Sequence, residues 1–262
     1  MPTHSMTDAA PRCYALVPCA GVGERAGAGG PKQYAQLAGR AVVAHTLAAL
    51  DAVPRLDAPL VALARDDRGF EHAVPDWSGP RRWLARCGGA TRAATVAAGL
   101  VELRQRGVRA TDWVLVHDAA RCLLRAQWVD RLIDACLSDE VGGLLALSLA
   151  DTLKHPDAGR AARGLDRRDK WLAQAPPMFR CGELQAALAA AGDVVTDEAS
   201  AIEATGRAPL LVAGDYENLK LTWPADFALA ERLLRSAPGP HERGRATGAA
   251  GDAAAAVLHE AR

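Results

Sequence analysis

The spacing of apolar residues constrains this chain more than any other feature. Short runs with few polar residues, at 14–20, 58–64, 112–121, 141–151 and 208–214, alternate with segments whose apolar residues recur at helical spacing. A strand buried on both faces reads as a near-continuous apolar run. Alternation of such strands with helices predicts an α/β domain: a mostly parallel sheet with helices on both faces. Helices are expected at 41–53, 90–107, 126–139, 181–192, 196–206 and 224–236, with Gly107 and Gly206 as stops. Thr196 reads as the N-cap of its helix, ahead of acids in the first turn. Further strands are expected within 81–89 and at "ENLKLT", residues 217–222. Residues 151–177 break the rhythm, being polar, arginine-rich and punctuated by Gly and Pro, and predict a protruding β-arm. The organisation expected is one domain over 12–236, a flexible stretch over 1–11 and a disordered Gly/Ala/Pro/Arg tail over 237–262.

Bulk properties exclude several classes. With 262 residues, half of them hydrophobic, the chain can bury a sizeable core. Lys+Arg and Asp+Glu balance at 31 each, which argues against a nucleic-acid tracker while allowing a local basic pocket. The 6 cysteines form no CxxC pair, so neither a zinc site nor a disulfide framework is expected. The opening "MPTHSMTDAAPR" lacks a basic segment followed by a long apolar one, and no run is long enough to cross a bilayer. A cytoplasmic location is expected. Lysine is scarce, confined to Lys32, Lys154, Lys170 and Lys220, which marks these as places where a compact ammonium is used in an arginine-rich chain.

The stretch "PCAGVGERAGAGGPKQY" follows the first predicted strand directly. Strand, glycine-rich loop and helix make a phosphate-binding layout, because small residues let backbone N–H groups approach an anion at the carboxyl end of a strand. The Walker pattern fails, since Lys32 follows Pro31 and precedes Gln33. The dinucleotide pattern GxGxx[GA] matches from Gly21 to Ala26, but no acid ends a second strand about 20 residues on. A reading as an NAD-dependent oxidoreductase therefore rests on glycines alone and leaves Lys32 unexplained. Arg25 and Lys32 beside those amides suit a triphosphate, as neutralisers of charge growing in a transition state. Asp118 ends the strand "VLVHD", where ligands sit in open parallel sheets, and is a candidate Mg²⁺ ligand. Thr196, Asp197 and Lys220 are further polar groups near predicted element ends.

Taken in order, "PCAGVGERAGAGGPKQY", "GGATRAATVAAGL", "VLVHDAAR", "LALSLADTLK", "TDEASAIE" and "GDYENLKLTWPADFALAE" resemble the 2-C-methyl-D-erythritol 4-phosphate cytidylyltransferase family over residues 14–234. The resemblance implies a Rossmann-like nucleotidyltransferase fold, a homodimer whose 151–177 arm reaches the partner, and use of Mg²⁺ and CTP. It implies transition-state roles for Arg25 and Lys32. Cys19, Ala20, Gly21, Gly23, Gly89, Thr95 and Asp118 would meet CTP. Asp118, Thr152, Arg167, Thr196 and Lys220 would hold the sugar phosphate, with Arg167 and Lys220 aiming it for attack. Three positions depart from the family pattern: Ala90 replaces an acid, Cys122 a proline, and Ala175-Pro176-Pro177 stands for a Thr-Pro-Gln. A sister enzyme acting on a pentitol phosphate such as ribitol 5-phosphate, and a non-catalytic nucleotide-binding module, are the other readings.

Overall fold

In β1 (Cys13–Cys19) the side chains alternate between two layers of core. Cys13, Ala15, Val17 and Cys19 pack to one side, Tyr14 and Leu16 to the other, as the two-residue period of a strand requires. A computed structural model describes residues 10–21, 30–192 and 195–236. The expectations for 1–9 and 237–262, and those for Gly23 and Arg25, lie outside the described residues.

A small ribbon, β2 (Gln36–Leu37) and β3 (Arg40–Ala41), leads into α1 (Val42–Asp51). β4 (Leu56–Leu63), the single turn α2 (Phe70–Ala73) and β5 (Trp83–Ala85) follow. Next come α3 (Arg92–Gln105), β6 (Trp113–Val116), α4 (Ala126–Leu137) and β7 (Gly142–Ser148). A hairpin, β8 (Leu153–Asp157) and β9 (Arg160–Leu165), precedes β10 (Trp171–Arg180). The chain continues through α5 (Cys181–Ala191), α6 (Glu198–Glu203), β11 (Leu210–Ala213) and α7 (Pro224–Ser236).

The main sheet has seven strands in the order β11-β7-β10-β6-β1-β4-β5. β1 pairs in parallel with both β4 and β6, and β11 pairs in parallel with β7. Only β10 runs antiparallel, between β6 and β7. Helices α1 and α4 cover one face through Val43, Leu47, Trp128 and Leu132. Helices α3, α5 and α6 cover the other through Val96, Leu100, Leu184 and Ile202. After β1 the chain builds outward to β4 and β5, then returns through α3 to β6 on the opposite side of β1. Such a reversal opens a crevice at the carboxyl ends of the flanking strands.

The predicted architecture holds, with four corrections. Residues 217–222 form no strand; they run as an irregular strap over the sheet edge. The protruding part of the 151–177 segment is the exposed β8–β9 hairpin alone, because residues from Trp171 onward return to the main sheet as β10. The helix after 196 is capped by Asp197 instead of Thr196: the Asp197 carboxylate accepts the Ser200 N–H at 2.8 Å. α3 begins at Arg92, where Thr91 accepts the Ala94 N–H, two residues later than its apolar pattern suggests.

Candidate active site

The crevice at the ends of β1 and β6 holds two adjoining clefts, of about 260 and 210 Å³. Backbone makes most of the first. It is bounded by residues 18–21 from the end of β1, by Lys32 and Gln33, by residues 89–92 at the entry to α3, and by 118–120 after β6. Gln33 is buried and donates from its amide to the carbonyls of Gly21 at 2.8 Å and Cys19 at 3.4 Å. That tie brings Lys32 back to the strand end from which the glycine loop departs. Lys32 in turn donates to the carbonyl of Leu221 at 2.8 Å.

The opposite wall depends on close approach. Gly88 N–H donates to the Leu63 carbonyl at 2.7 Å, and a Cβ at Gly88 would lie 2.5 Å from the Ala20 Cβ. Only glycine lets the two loops meet there. Thr95 lines the cleft but is 2% exposed, with its hydroxyl engaged inside the loop. It accepts the Gly89 N–H at 3.1 Å and donates to the Thr91 carbonyl at 3.0 Å, so its contribution is the shape of the Gly89 wall.

Side chains make the second cleft. Gln174 and Ala175 of β10, Thr196 to Ala199 at the start of α6, and Arg121 surround it. The strap places Lys220 at its rim without any ladder. Leu221 N–H donates to Ala120 O (2.9 Å), Arg121 Nη1 to Asn218 O (2.6 Å), Asn218 Nδ2 to Ala175 O (2.8 Å) and Gln174 Nε2 to Asp215 O (2.9 Å).

Arg92, Asp118 and Lys220 line both clefts and form their common wall. Asp118, 8% exposed, receives Arg92 Nε at 2.9 Å on one oxygen. The other oxygen takes Lys220 Nζ at 2.9 Å and faces Arg121 Nε at 3.5 Å. Burial alone would raise the Asp118 pKa; Arg92, Lys220 and Arg121 outweigh it and hold the carboxyl far below the usual carboxylate range. Burial also opposes the charge on Arg92, but Glu198 and Asp118 push its pKa above the ordinary arginine value. The buried Glu198 takes Arg92 end-on, Nη1 to Oε1 at 2.7 Å and Nη2 to Oε2 at 3.1 Å. The second cleft sets Arg92, Arg121 and Lys220 against Asp118, Asp197 and Glu198, whereas the described residues of the first set Lys32, Arg92 and Lys220 against Asp118 alone. A pocket of that balance suits phosphate oxygens.

Among the described residues no group of three His, Cys, Asp or Glu could hold a metal. Both oxygens of Asp118 are engaged by cations, so the described residues do not make a site that would retain Mg²⁺ unaided.

Of the residues singled out from sequence, Cys19, Ala20, Gly21, Lys32, Gly89, Thr95, Asp118 and Lys220 come together in the first cleft. Asp118, Lys220 and Thr196 border the second. Thr152 and Arg167 border neither and lie exposed at the two ends of the hairpin segment. The Cys19 thiol is buried, its pKa pushed up to about 12, so it acts as packing under the loop and not as a nucleophile. Sequence reasoning missed Arg92, Arg121, Gln33, Gln174, Asn218 and Glu198. A signal existed for Arg92: it is a cation in the first turn of a helix, the end where the macrodipole disfavours it.

Comparison with known proteins points to one family. The family model described as "IspD: 2-C-methyl-D-erythritol 4-phosphate cytidylyltransferase" matches residues 13–236. A relative of that name from Laribacter hongkongensis is 54% identical over 226 residues, covering 85% of this chain and 96% of its own. A "Bifunctional enzyme IspD/IspF" from Albidiferax ferrireducens is 57% identical over 228 residues, 87% of this chain. The match spans 54% of that relative, so this chain corresponds to about half of it. Among solved structures, a 4-diphosphocytidyl-2C-methyl-D-erythritol synthase superposes with a TM-score of 0.76 at 36% identity, over 86% of this chain and 99% of the other. The cytidylyltransferase of Thermus thermophilus superposes with a TM-score of 0.70 at 31% identity, over 86% and 99% of the two chains.

Proposed function

The chain belongs to the 2-C-methyl-D-erythritol 4-phosphate cytidylyltransferase family, and from that premise we propose how its two clefts divide the work. The reaction transfers CMP from CTP to 2-C-methyl-D-erythritol 4-phosphate, yielding the 4-diphosphocytidyl product and pyrophosphate. One observation carries the assignment of clefts: Arg92, Asp118 and Lys220 line both, so a nucleotide in the first and a sugar phosphate in the second meet at one charged wall.

A phosphate monoester is an anionic nucleophile near neutral pH and needs no Ser/His/Asp machinery. Its oxygen attacks the α-phosphorus of CTP in line, the new P–O bond forming as the bond to pyrophosphate breaks. Catalysis then consists of positioning and charge neutralisation. CTP lies with its phosphates against the backbone of residues 19–21 and the ammonium of Lys32; Arg25, outside the described residues, joins Lys32 on the triphosphate. Gly89 and the loop that Thr95 shapes face the cytidine, and Asp118 faces the ribose. Lys220, with Thr196 across the cleft, holds the attacking phosphate. Mg²⁺ would have to arrive with the nucleotide, Asp118 being the one acid among the described residues of the first cleft; bound there it would supply neutralisation of phosphate charge.

In the same reading Thr152 and Arg167 act on the second cleft of a partner copy, which accounts for their distance from the clefts of their own chain. The enzyme is then a homodimer, working in the cytoplasm; among the described residues no helix is long and apolar enough to cross a membrane. The family match favours this activity over hydride transfer with NAD and over the pentitol phosphate and non-catalytic readings. Pyrophosphate release, measured with CTP and either 2-C-methyl-D-erythritol 4-phosphate or ribitol 5-phosphate, tests it. Release with the first substrate and little with the second is expected. Equal or greater release with ribitol 5-phosphate overturns the substrate assignment.

A further inference from the structure

Glu198 has no role in the reaction as described, yet its side chain is almost fully buried at the wall of the cleft assigned above to the sugar phosphate. A carboxylate there repels phosphate, so its presence calls for a physical reason. Its contacts supply one. Both oxygens are spent on Arg92, whose remaining Nε–H goes to Asp118, whose other oxygen takes Lys220. Glu198, Arg92, Asp118 and Lys220 thus form one chain of charge-assisted contacts running along the wall shared by the two clefts.

Each link restricts the next. Arg92 opens α3, the end of a helix where the backbone dipole disfavours a cation. A planar guanidinium gripped on two nitrogens by one carboxylate has a fixed plane, and its third nitrogen then has a fixed direction. That direction sets which oxygen of Asp118 is left to Lys220.

We propose that Glu198 is a positioning residue for cytidylyl transfer, orienting Arg92 and through it the Asp118–Lys220 pair at the point where the two substrates meet. This inference rests on the assignment of clefts given above. It makes the negative charge of Glu198 useful to the transition state although it is unfavourable to binding of either substrate.

Glu198→Gln keeps the shape and removes the charge, and the effects on kcat and KM then separate. Loss of a charge-assisted contact in the chain lowers kcat by about 10–100-fold. Removing a negative charge beside two polyanions leaves KM for CTP and for the sugar phosphate unchanged or lower, whereas general damage to the site raises both. Glu198→Asp restores the charge on a shorter stem and recovers part of kcat. A crystal structure of Glu198→Gln shows the Arg92 guanidinium displaced from its contact with Asp118. The proposal is overturned if Glu198→Gln keeps kcat within about twofold of the parent, if KM for both substrates rises, if Glu198→Asp recovers nothing, or if Arg92 stays in place. Where Glu198→Gln is too unstable to assay, Arg92→Lys serves instead: it keeps the charge at 92 but cannot span both carboxylates, and kcat must fall with little change in KM. A parent enzyme that releases no pyrophosphate is a failure of the cleft assignment and not of the positioning role, which the Arg92 placement in the Glu198→Gln structure still decides.

Discussion

The first cleft and the second are built by different means. Around the first, the protein offers mostly backbone: residues 18–21, the loop at Gly88 and Gly89, and the turn into α3, held largely by contacts between neighbouring loops, with Lys32 tied to the strap at Leu221. Around the second it offers side chains from β10, from the start of α6 and, through Lys220, from an irregular strap, whose place depends on contacts to residues about 40 to 100 positions away in sequence, through Gln174, Ala175, Ala120 and Arg121. Backbone amides at a strand end recognise any phosphate chain, and few substitutions change them. A second substrate needs particular side chains at particular heights. The strap delivers one of these, Lys220, at the cost of dependence on distant hydrogen bonds.

The contrast can be broken or sharpened by mutation. Lys32 lines the first cleft; on the proposed reading it meets the triphosphate, and Lys32→Ala is expected to lower kcat by about 10²–10³, as for a lost transition-state contact. Turnover near normal would remove the first cleft from the chemistry. Lys220 serves both clefts, and Lys220→Ala is expected to lower kcat/KM for the sugar phosphate by about 10–100-fold while KM for CTP changes less. Equal losses toward both substrates in steady-state kinetics would contradict the division.

Asn218→Ala tests the strap itself. It leaves the Ala175 carbonyl without its partner, and a buried unpaired group costs about 1–3 kcal/mol. Thermal unfolding should occur several degrees lower, with kcat/KM for the sugar phosphate impaired and CTP binding retained. A strap variant that weakens CTP binding first would reverse the comparison.

A last effect appears only at acid pH. His117 is fully buried at the end of β6, and burial lowers its pKa to about 4. The folded protein therefore binds fewer protons than the unfolded chain between pH 4 and about 6.5. Its contribution to stability is complete above that window and is lost as pH falls through it, with a slope of at most about 1.4 kcal/mol per pH unit. Denaturation at several pH values should show a shallower decline in His117→Gln; an unchanged slope would mean that another group carries it.

The same contrast explains what the sequence made legible. β1, β4, β6 and β7 are apolar runs bounded by turn residues, and period alone located them. Lys32 and Asp118 follow strand ends, so their place at the crevice follows from topology once the strands are known. β10 was not foreseen because "QAPPMFR" carries two prolines and no alternation, and it runs against the parallel rhythm of its neighbours. The 217–222 segment looked like a strand by composition, but side-chain contacts hold it in place of a ladder. Glu198 read as an ordinary acid in a helix's first turn. Its pairing with Arg92, 106 residues away, is a tertiary fact that no local pattern carries.

Product analysis by ³¹P NMR tests the central claim most directly, namely that a sugar phosphate in one cleft attacks the α-phosphorus of a nucleotide in the other. With CTP and 2-C-methyl-D-erythritol 4-phosphate, the account predicts loss of the monoester signal. Two coupled resonances of a diphosphate diester should appear together with free pyrophosphate. An unchanged monoester signal, or CMP formed by hydrolysis in place of the coupled pair, would contradict it.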